Sequence, residues 1–441
     1  MNYVGTARPI HDAKGKATGY TKYAGDLSLP NMAYLCMLHS KIPHGYVKAV
    51  HAEKALALPG VYGVYHCLNT SERKYNRYRS SFDQAYLANE ERAFNQYVRF
   101  VGDKIGAVAA CDQETAEKAA RLVEVEYEEL SFSIGFDDTL AGKNCLDGET
   151  PVRDEYELDV GEKQESTEGL IEVCSTMELP RLHHATMETH ACIADYDPYS
   201  DMLTVYCPNQ AVHGIRTVLA DFLEMPESHV RVVKATMGGS FGAKQEWFLE
   251  PVTALVAKKL CRPVKLVYSR GEAMTDTIVR GAMRMSARGY YTPDGEMKEI
   301  YCDVTLDAGA YIGNAGDYVR ALAGKPTRCY RIPYMHYHGQ VISSNSPVSG
   351  AFRSWSAAEE ALMMERQLDA AAEKLAGQIA GNAPIAVRAS KQAINDGLQV
   401  DIDRAVVIEE KAFGSCFQSA DQQEGMGAFL EKRKHEPFIN K

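Results

Sequence analysis

Through the first 136 residues, short runs alternate apolar and polar positions between turn residues, as in "GYTKYAGDL", "MAYLCMLHS" and "GVYGVYHCL". A period of two predicts strands. The spacing turns helical in "VHAEKALALPG", where Pro59-Gly60 marks the stop. "RFVGDKIGAVAACDQETAEKAARLVEVEYEEL" reads strand, helix, strand. Asp112 is placed to cap that helix, with Glu114 and Glu117 near its positive end. Residues 137–168 are polar and acidic without a sustained period, which predicts a surface linker.

Both periods return from Gly169 to about Val348. "CIADYDPYSDMLTVYCPNQ" and "MRMSARGYYTPDGEMKEIYCDVTLDAGAY" predict hairpins, the second turning at Pro293-Asp294-Gly295. "AVHGIRTVLADFLEM" is spaced as a helix, "HVRVVKATM" as a strand, and "EPVTALVAKKLCRPVKLVYSR" as a helix and then a strand. After Arg366 only the helical period remains. Leu368, Ala372, Leu375 and Ile379 share one face, and Pro384 and Gly397 bracket the next helix. Ser419 and Gln422 stand at capping-box spacing before Met426, Phe429 and Leu430. The fold class expected is α+β with a separate helical C-terminal piece.

Charge and cysteine content narrow the functions. A net charge of -11 argues against a nucleic-acid surface, which needs a basic face. The eleven cysteines are scattered with no CxxC pair, so reduced thiols and a cytoplasmic location are expected. Their spacing does not suit an iron–sulfur cluster. The N-terminus lacks the apolar region of a signal peptide, and no apolar run is long enough to span a bilayer.

The chemistry concentrates in "ATMGGSFGAKQEWFLEP". It lacks the GxxxxGK[ST] of a phosphate loop and the GxGxxG of a dinucleotide fold. Locally, a tight turn between strand and helix explains it. The alternative is a cradle: Gly238, Gly239, Ser240 and Gly242 surround Phe241 and leave backbone amides open to a planar or anionic ligand. "CPNQAVHGIR" brings Gln210 to the end of a strand, and "NSPVSGAFRSWS" brings Arg353 after small residues.

Over residues 1–365 the chain resembles the molybdenum-cofactor-binding subunit of the xanthine dehydrogenase/aldehyde oxidase family. The opening "HDAKGKATGYTKYAGDLSLPNMAYLCMLHSKIPHGYVKAV", then "HHATMETHACIADYD", "CPNQAVHGIR", "MGGSFGAKQE" and "GAFRSWS", stand in the family's order. The resemblance implies an a/b hammerhead domain over 1–136, the linker over 137–168, and an incomplete first molybdenum-cofactor-binding domain over 169–365. It places Gln210 where the family's glutamine hydrogen-bonds a molybdenum oxo ligand. It places Gly238, Gly239, Ser240, Phe241 and Gly242 in the loop beside the molybdenum-molybdopterin cofactor, and Arg353 where an arginine contacts cofactor and holds that loop. The implied reaction is hydroxylation of an N-heterocycle or aldehyde, with electrons leaving through iron–sulfur and FAD subunits or domains on other chains. Ser240, Ala243, Ser354 and Ser356 replace family glycines and are expected to narrow the approach to ligand. Gln245 stands where purine-specific members commonly carry glutamate.

Residues 366–441 resemble instead the C-terminal helices of the enoyl-CoA hydratase (crotonase) family, in "NAPIAVRASKQAIN" and "SADQQEGMGAFLEKRK". The catalytic body of that family is not in this sequence, so CoA binding at Lys432 and Phe438 is not expected. An inactive fusion of two family fragments and an enoyl-CoA hydratase-related protein are the alternatives to an oxidoreductase. His183, His184, Glu188 and His190 have the residue types of a metal site, but the segment reads as a structural strand, and no metal is assigned. Cys207 is expected in the core. An oligomer is expected from the apolar faces that an incomplete domain leaves uncovered.

Overall fold

The computed structural model describes residues 4–78, 89–148 and 150–441. The hammerhead region begins with helix α1 (Ala13–Ala17), strands β1 (Ala33–His39) and β2 (Gly45–His51), α2 (Glu53–Leu56) and β3 (Val61–His66). Three two-residue strands follow, β4 (Lys74–Tyr75), β5 (Glu91–Arg92) and β6 (Tyr97–Val98). Then come β7 (Lys104–Ala110), α3 (Gln113–Ala120), β8 (Glu124–Glu129) and α4 (Phe136–Leu140). Asp112 caps α3 as expected, its side chain accepting the Thr115 amide at 2.7 Å. Every residue of β7 is buried, because it runs between β1 and β3 with both faces covered.

The second region contains β9 (Val152–Gly161), β10 (Ile171–Leu179), β11 (Ala191–Asp197), β12 (Met202–Cys207), α5 (Val212–Phe222), β13 (Val230–Lys234), α6 (Glu250–Leu260), β14 (Val264–Val267) and α7 (Arg270–Thr275). It continues with β15 (Ala282–Tyr291), β16 (Met297–Gly309), α8 (Ala315–Ala323), α9 (Pro326–Cys329) and β17 (Tyr334–Ser343). The C-terminal helices are α10 (Ala357–Ala380), α11 (Pro384–Gly397), α12 (Ile402–Cys416) and α13 (Ala420–Glu431). Both expected hairpins form, β11 with β12 and β15 with β16. Gly397, expected beyond the end of α11, is its last residue.

The stretch 137–168, expected as a linker, is corrected: within it β9 forms the edge of a five-stranded sheet, order β10-β15-β16-β17-β9. Its Tyr156, Leu158 and Val160 alternate with charged residues and pack inward. The acidic positions masked a period of two. Glu149 of that stretch lies outside the described residues.

A seven-stranded sheet, order β13-β12-β11-β14-β1-β7-β3, crosses the boundary between the two regions. The join is a parallel pairing of Ala33–Leu35 with Val264–Leu266. A buried charge network reinforces it. Glu91 takes ion pairs from Arg77 (2.6 Å) and from Lys104, and Lys104 also faces Asp276 at 3.8 Å. Asp276 in turn bonds Tyr268 at 2.5 Å and His39 at 3.2 Å. One core lies on this sheet, and a second lies between the five-stranded sheet, α8 and the first half of α10.

Candidate functional site

Strands β12 and β13 are parallel neighbours, so their C-terminal ends open at the same sheet edge. The first releases Pro208-Asn209-Gln210 and the second the loop 235–244. Asn209 anchors the first turn, its side chain donating to the Glu246 carbonyl at 2.8 Å and accepting the Ala211 amide at 2.7 Å. The Gln210 amide donates to the Lys244 carbonyl at 2.8 Å. The Ser240 hydroxyl donates to Gln210 Oε1 and accepts the Lys244 amide at 3.2 Å.

Gly239 and Gly242 have φ of +98° and +103°, and Phe241 stands between them at +56°, a left-handed turn that lifts its ring halfway into solvent. A Cβ on Gly242 would lie 2.4 Å from the Ala351 carbonyl oxygen, so the loop lies directly on the segment bearing Arg353. The Arg353 guanidinium sits 6.0 Å from the Phe241 ring centre. Gln210, the 238–242 loop and Arg353 therefore meet at one place. The side chains at the altered glycine positions do not crowd them. Ser240 is turned to Gln210, Ala243 is buried, Ser354 accepts the Ala358 amide, and Ser356 takes a bond from Lys325. Ser354, Trp355 and Ser356 hold positive φ in succession, which is the backbone that glycines would adopt without strain.

The residues weighed as metal ligands hold these loops together. Segment 183–190 is irregular rather than a strand, preceded by a single bridge at Leu182, and Ala185 has φ +47°. Glu188 Oε2 accepts from Lys244 Nζ at 2.6 Å and from the Gly238 amide at 2.7 Å. His190 donates to the Ala243 carbonyl at 2.9 Å and His184 to the Ala351 carbonyl at 2.8 Å. Burial pushes both imidazoles down to about 4, which keeps them neutral donors. Burial also lowers Lys244, against the opposing pull of Glu188. Phe352 packs on His184 with ring centres 4.3 Å apart, and the Arg280 guanidinium lies 4.1 Å from the Phe352 ring centre while donating to the Arg353 carbonyl. Spacing in the chain showed that these side chains cluster, but not that they clamp loops. Among the described residues no group of three His, Cys, Asp or Glu is arranged to hold a metal ion. Glu246 is fully buried beside Arg77 and Asn314, and burial raises it to about 8. A cavity of about 1040 Å³ lined by His39, Glu117, Arg121 and Lys265 shares no residue with this site.

Residues 150–380 match the molybdopterin cofactor-binding domain, and residues 18–131 match the a/b hammerhead domain of aldehyde oxidase and xanthine dehydrogenase. The chain belongs to this molybdopterin-binding family. Residues 360–438 also match enoyl-CoA hydratase/isomerase, overlapping the first match along α10. Among curated family members, the chain is 33% identical over 377 residues to a probable xanthine dehydrogenase subunit of Bacillus subtilis, covering 84% of this chain and 48% of that one. It is 29% identical to the nicotinate dehydrogenase large molybdopterin subunit of Eubacterium barkeri, covering 86% of each. The chain thus spans about half the length of several relatives and most of the length of one. The fold is that of quinoline 2-oxidoreductase from Pseudomonas putida 86 (TM-score 0.78, 24% identity, 87% of this chain, 49% of that one). It is equally that of the Desulfovibrio gigas aldehyde oxidoreductase (TM-score 0.78, 24% identity, 88% and 43%).

Proposed function

We propose that this chain is a molybdenum hydroxylase-type oxidoreductase subunit that holds a molybdenum-molybdopterin cofactor and acts with other chains on an N-heterocycle or an aldehyde. The observation that carries this reading is the convergence of Gln210, the 238–242 loop and Arg353 at one sheet edge. The donor set fits the group. Among the described residues, no acceptor takes the amides of Gly239, Ser240, Phe241 and Gly242, so four successive N–H groups remain for oxo or phosphate oxygens. Arg353 adds a cation at the same place.

When bound, the cofactor supplies two-electron oxidation of a C–H bond. Gln210 offers its side-chain N–H₂ to an oxygen acceptor, the loop amides orient the group, and Phe241 gives the substrate an apolar wall. The carboxylates nearest the loop are already engaged, Glu188 by Lys244 and Gly238 and Glu246 by Asn314. The proton acceptor for the reaction is proposed to lie outside these residues, with the iron–sulfur and FAD partners on other chains. Eleven free thiols accord with a reducing, cytoplasmic setting.

The test is metal and pterin analysis after expression with the cofactor pathway intact and with neighbouring subunit genes present. About one molybdenum and one pterin per chain is the expected outcome; lack of both rejects the reading. A non-catalytic fusion is the second reading, favoured by α11–α13, which contribute no residue to either main core. Limited proteolysis near 366–382 that releases an inert tail from a cofactor-free body would support it.

A further inference from the structure

We propose that Ser240 is a positioning residue that locks the Gln210 carboxamide with its oxygen inward, leaving the Nε2 protons as the only group Gln210 presents to a ligand. Three hydrogen bonds form a closed ring: Gln210 amide to Lys244 carbonyl, Lys244 amide to Ser240 Oγ, and Ser240 hydroxyl to Gln210 Oε1. A serine hydroxyl has one proton and two lone pairs. In the opposite amide orientation Ser240 Oγ would accept twice, and its proton would lose the acceptor it has here. That group is nearly buried, at 9% exposure, so an unused donor there is costly. The oxygen-inward orientation satisfies every atom in the ring and leaves Nε2 without a protein partner on an exposed side chain.

The ring makes the site selective for an acceptor. An oxo or other anionic oxygen meets a fixed donor, whereas a ligand donor meets two amide protons and is repelled. Where the family resemblance has glycine, this chain has a hydroxyl that sets amide direction from within the same loop. The inference rests on the proposed cofactor reading only for the identity of the acceptor; the orientation itself belongs to the chain alone.

Deuterated protein labelled with ¹⁵N-glutamine and ¹⁵N-glycine tests it without cofactor. The Gln210 Nε2H₂ pair is identified by its disappearance in Gln210→Glu. In Ser240→Ala the pair is expected to shift and its protons to exchange about fivefold faster, as loss of one hydrogen bond implies. Ser240→Thr, which keeps the hydroxyl, is expected to restore the original signal. A pair unmoved in Ser240→Ala overturns the proposal, as does an equal displacement of the Gly238 and Gly242 amides, which would report collapse of the loop. Pterin retention on the same variants separates the two claims. If the unmodified chain loads no cofactor, the functional reading fails while the amide result still decides the orientation. If it loads, Ser240→Ala is expected to retain pterin about fivefold more weakly, and equal retention in both refutes the positioning role.

Discussion

At Gly242 a methyl group has nowhere to go. Its φ of +103° suits glycine, and the Ala351 carbonyl oxygen would stand 2.4 Å from any Cβ. Gly242→Ala is expected to cost roughly 1–3 kcal/mol, the range for a forced backbone outlier, and to part the loop from Arg353. Thermal melting checks the first effect and pterin content the second. Phe241, Ser354, Trp355 and Ser356 accept left-handed backbone without being glycine, at roughly 1–2 kcal/mol each. Such strain persists only where surroundings over-determine it, and here the Arg280 and Lys325 bonds to the 353–356 segment do so. At this scale the glycine-rich loop, Gln210 and Arg353 could be picked out along the chain, and the structure brings them together. Glu188, His184 and His190 were legible only as residue types, because a clamp is defined by a partner distant in sequence.

Among the elements, the decisive contact is β1 on β14. Parallel neighbours need a long crossover, and no local pattern announces which strands will pair across it. The hairpins and the helices α3, α5, α6, α10, α11 and α13 were readable from their periods, and α3 and α13 also from the side chains that cap them. β9 was missed because its outward positions are acidic. The β1–β14 join is stiffened by a charge cluster in which Glu91, 2% exposed, serves both Arg77 and Lys104. Removing one member leaves uncompensated buried charge, so Glu91→Gln is expected to lose about 3–5 kcal/mol of stability. Denaturant unfolding is the measurement, and a loss below about 1 kcal/mol would mean the pair is not holding the join.

For the whole molecule, the uneven part is the C-terminus. Ala371 is the last residue of α10 in the second core, and beyond it Leu398, Phe413 and Phe429 are 67–78% exposed. A groove of about 890 Å³ runs among α11, α12 and α13, lined by Ile394, Leu398, Phe413 and Phe438. Truncation after Gly381 is expected to leave the melting of the remainder within a few degrees of the full chain, and to lower binding of a hydrophobic dye. A large fall in melting temperature would show that the tail packs on the body. The two family matches overlap along α10, the helix by which the tail leaves the second core.

The amino-acid order alone determined the periods of the separate helices and hairpins, the left-handed glycine loop, and the succession of motifs that marks the family. Those features depend on residues a few positions apart, whose sterics and hydrogen bonds act locally. Tertiary structure alone decided that β12 and β13 open at one edge, that Ser240 seizes Gln210, that former metal candidates became loop clamps, and that one sheet unites both regions. These follow from parallel crossovers and buried charge pairing, which bring together groups that no periodicity along the chain can relate.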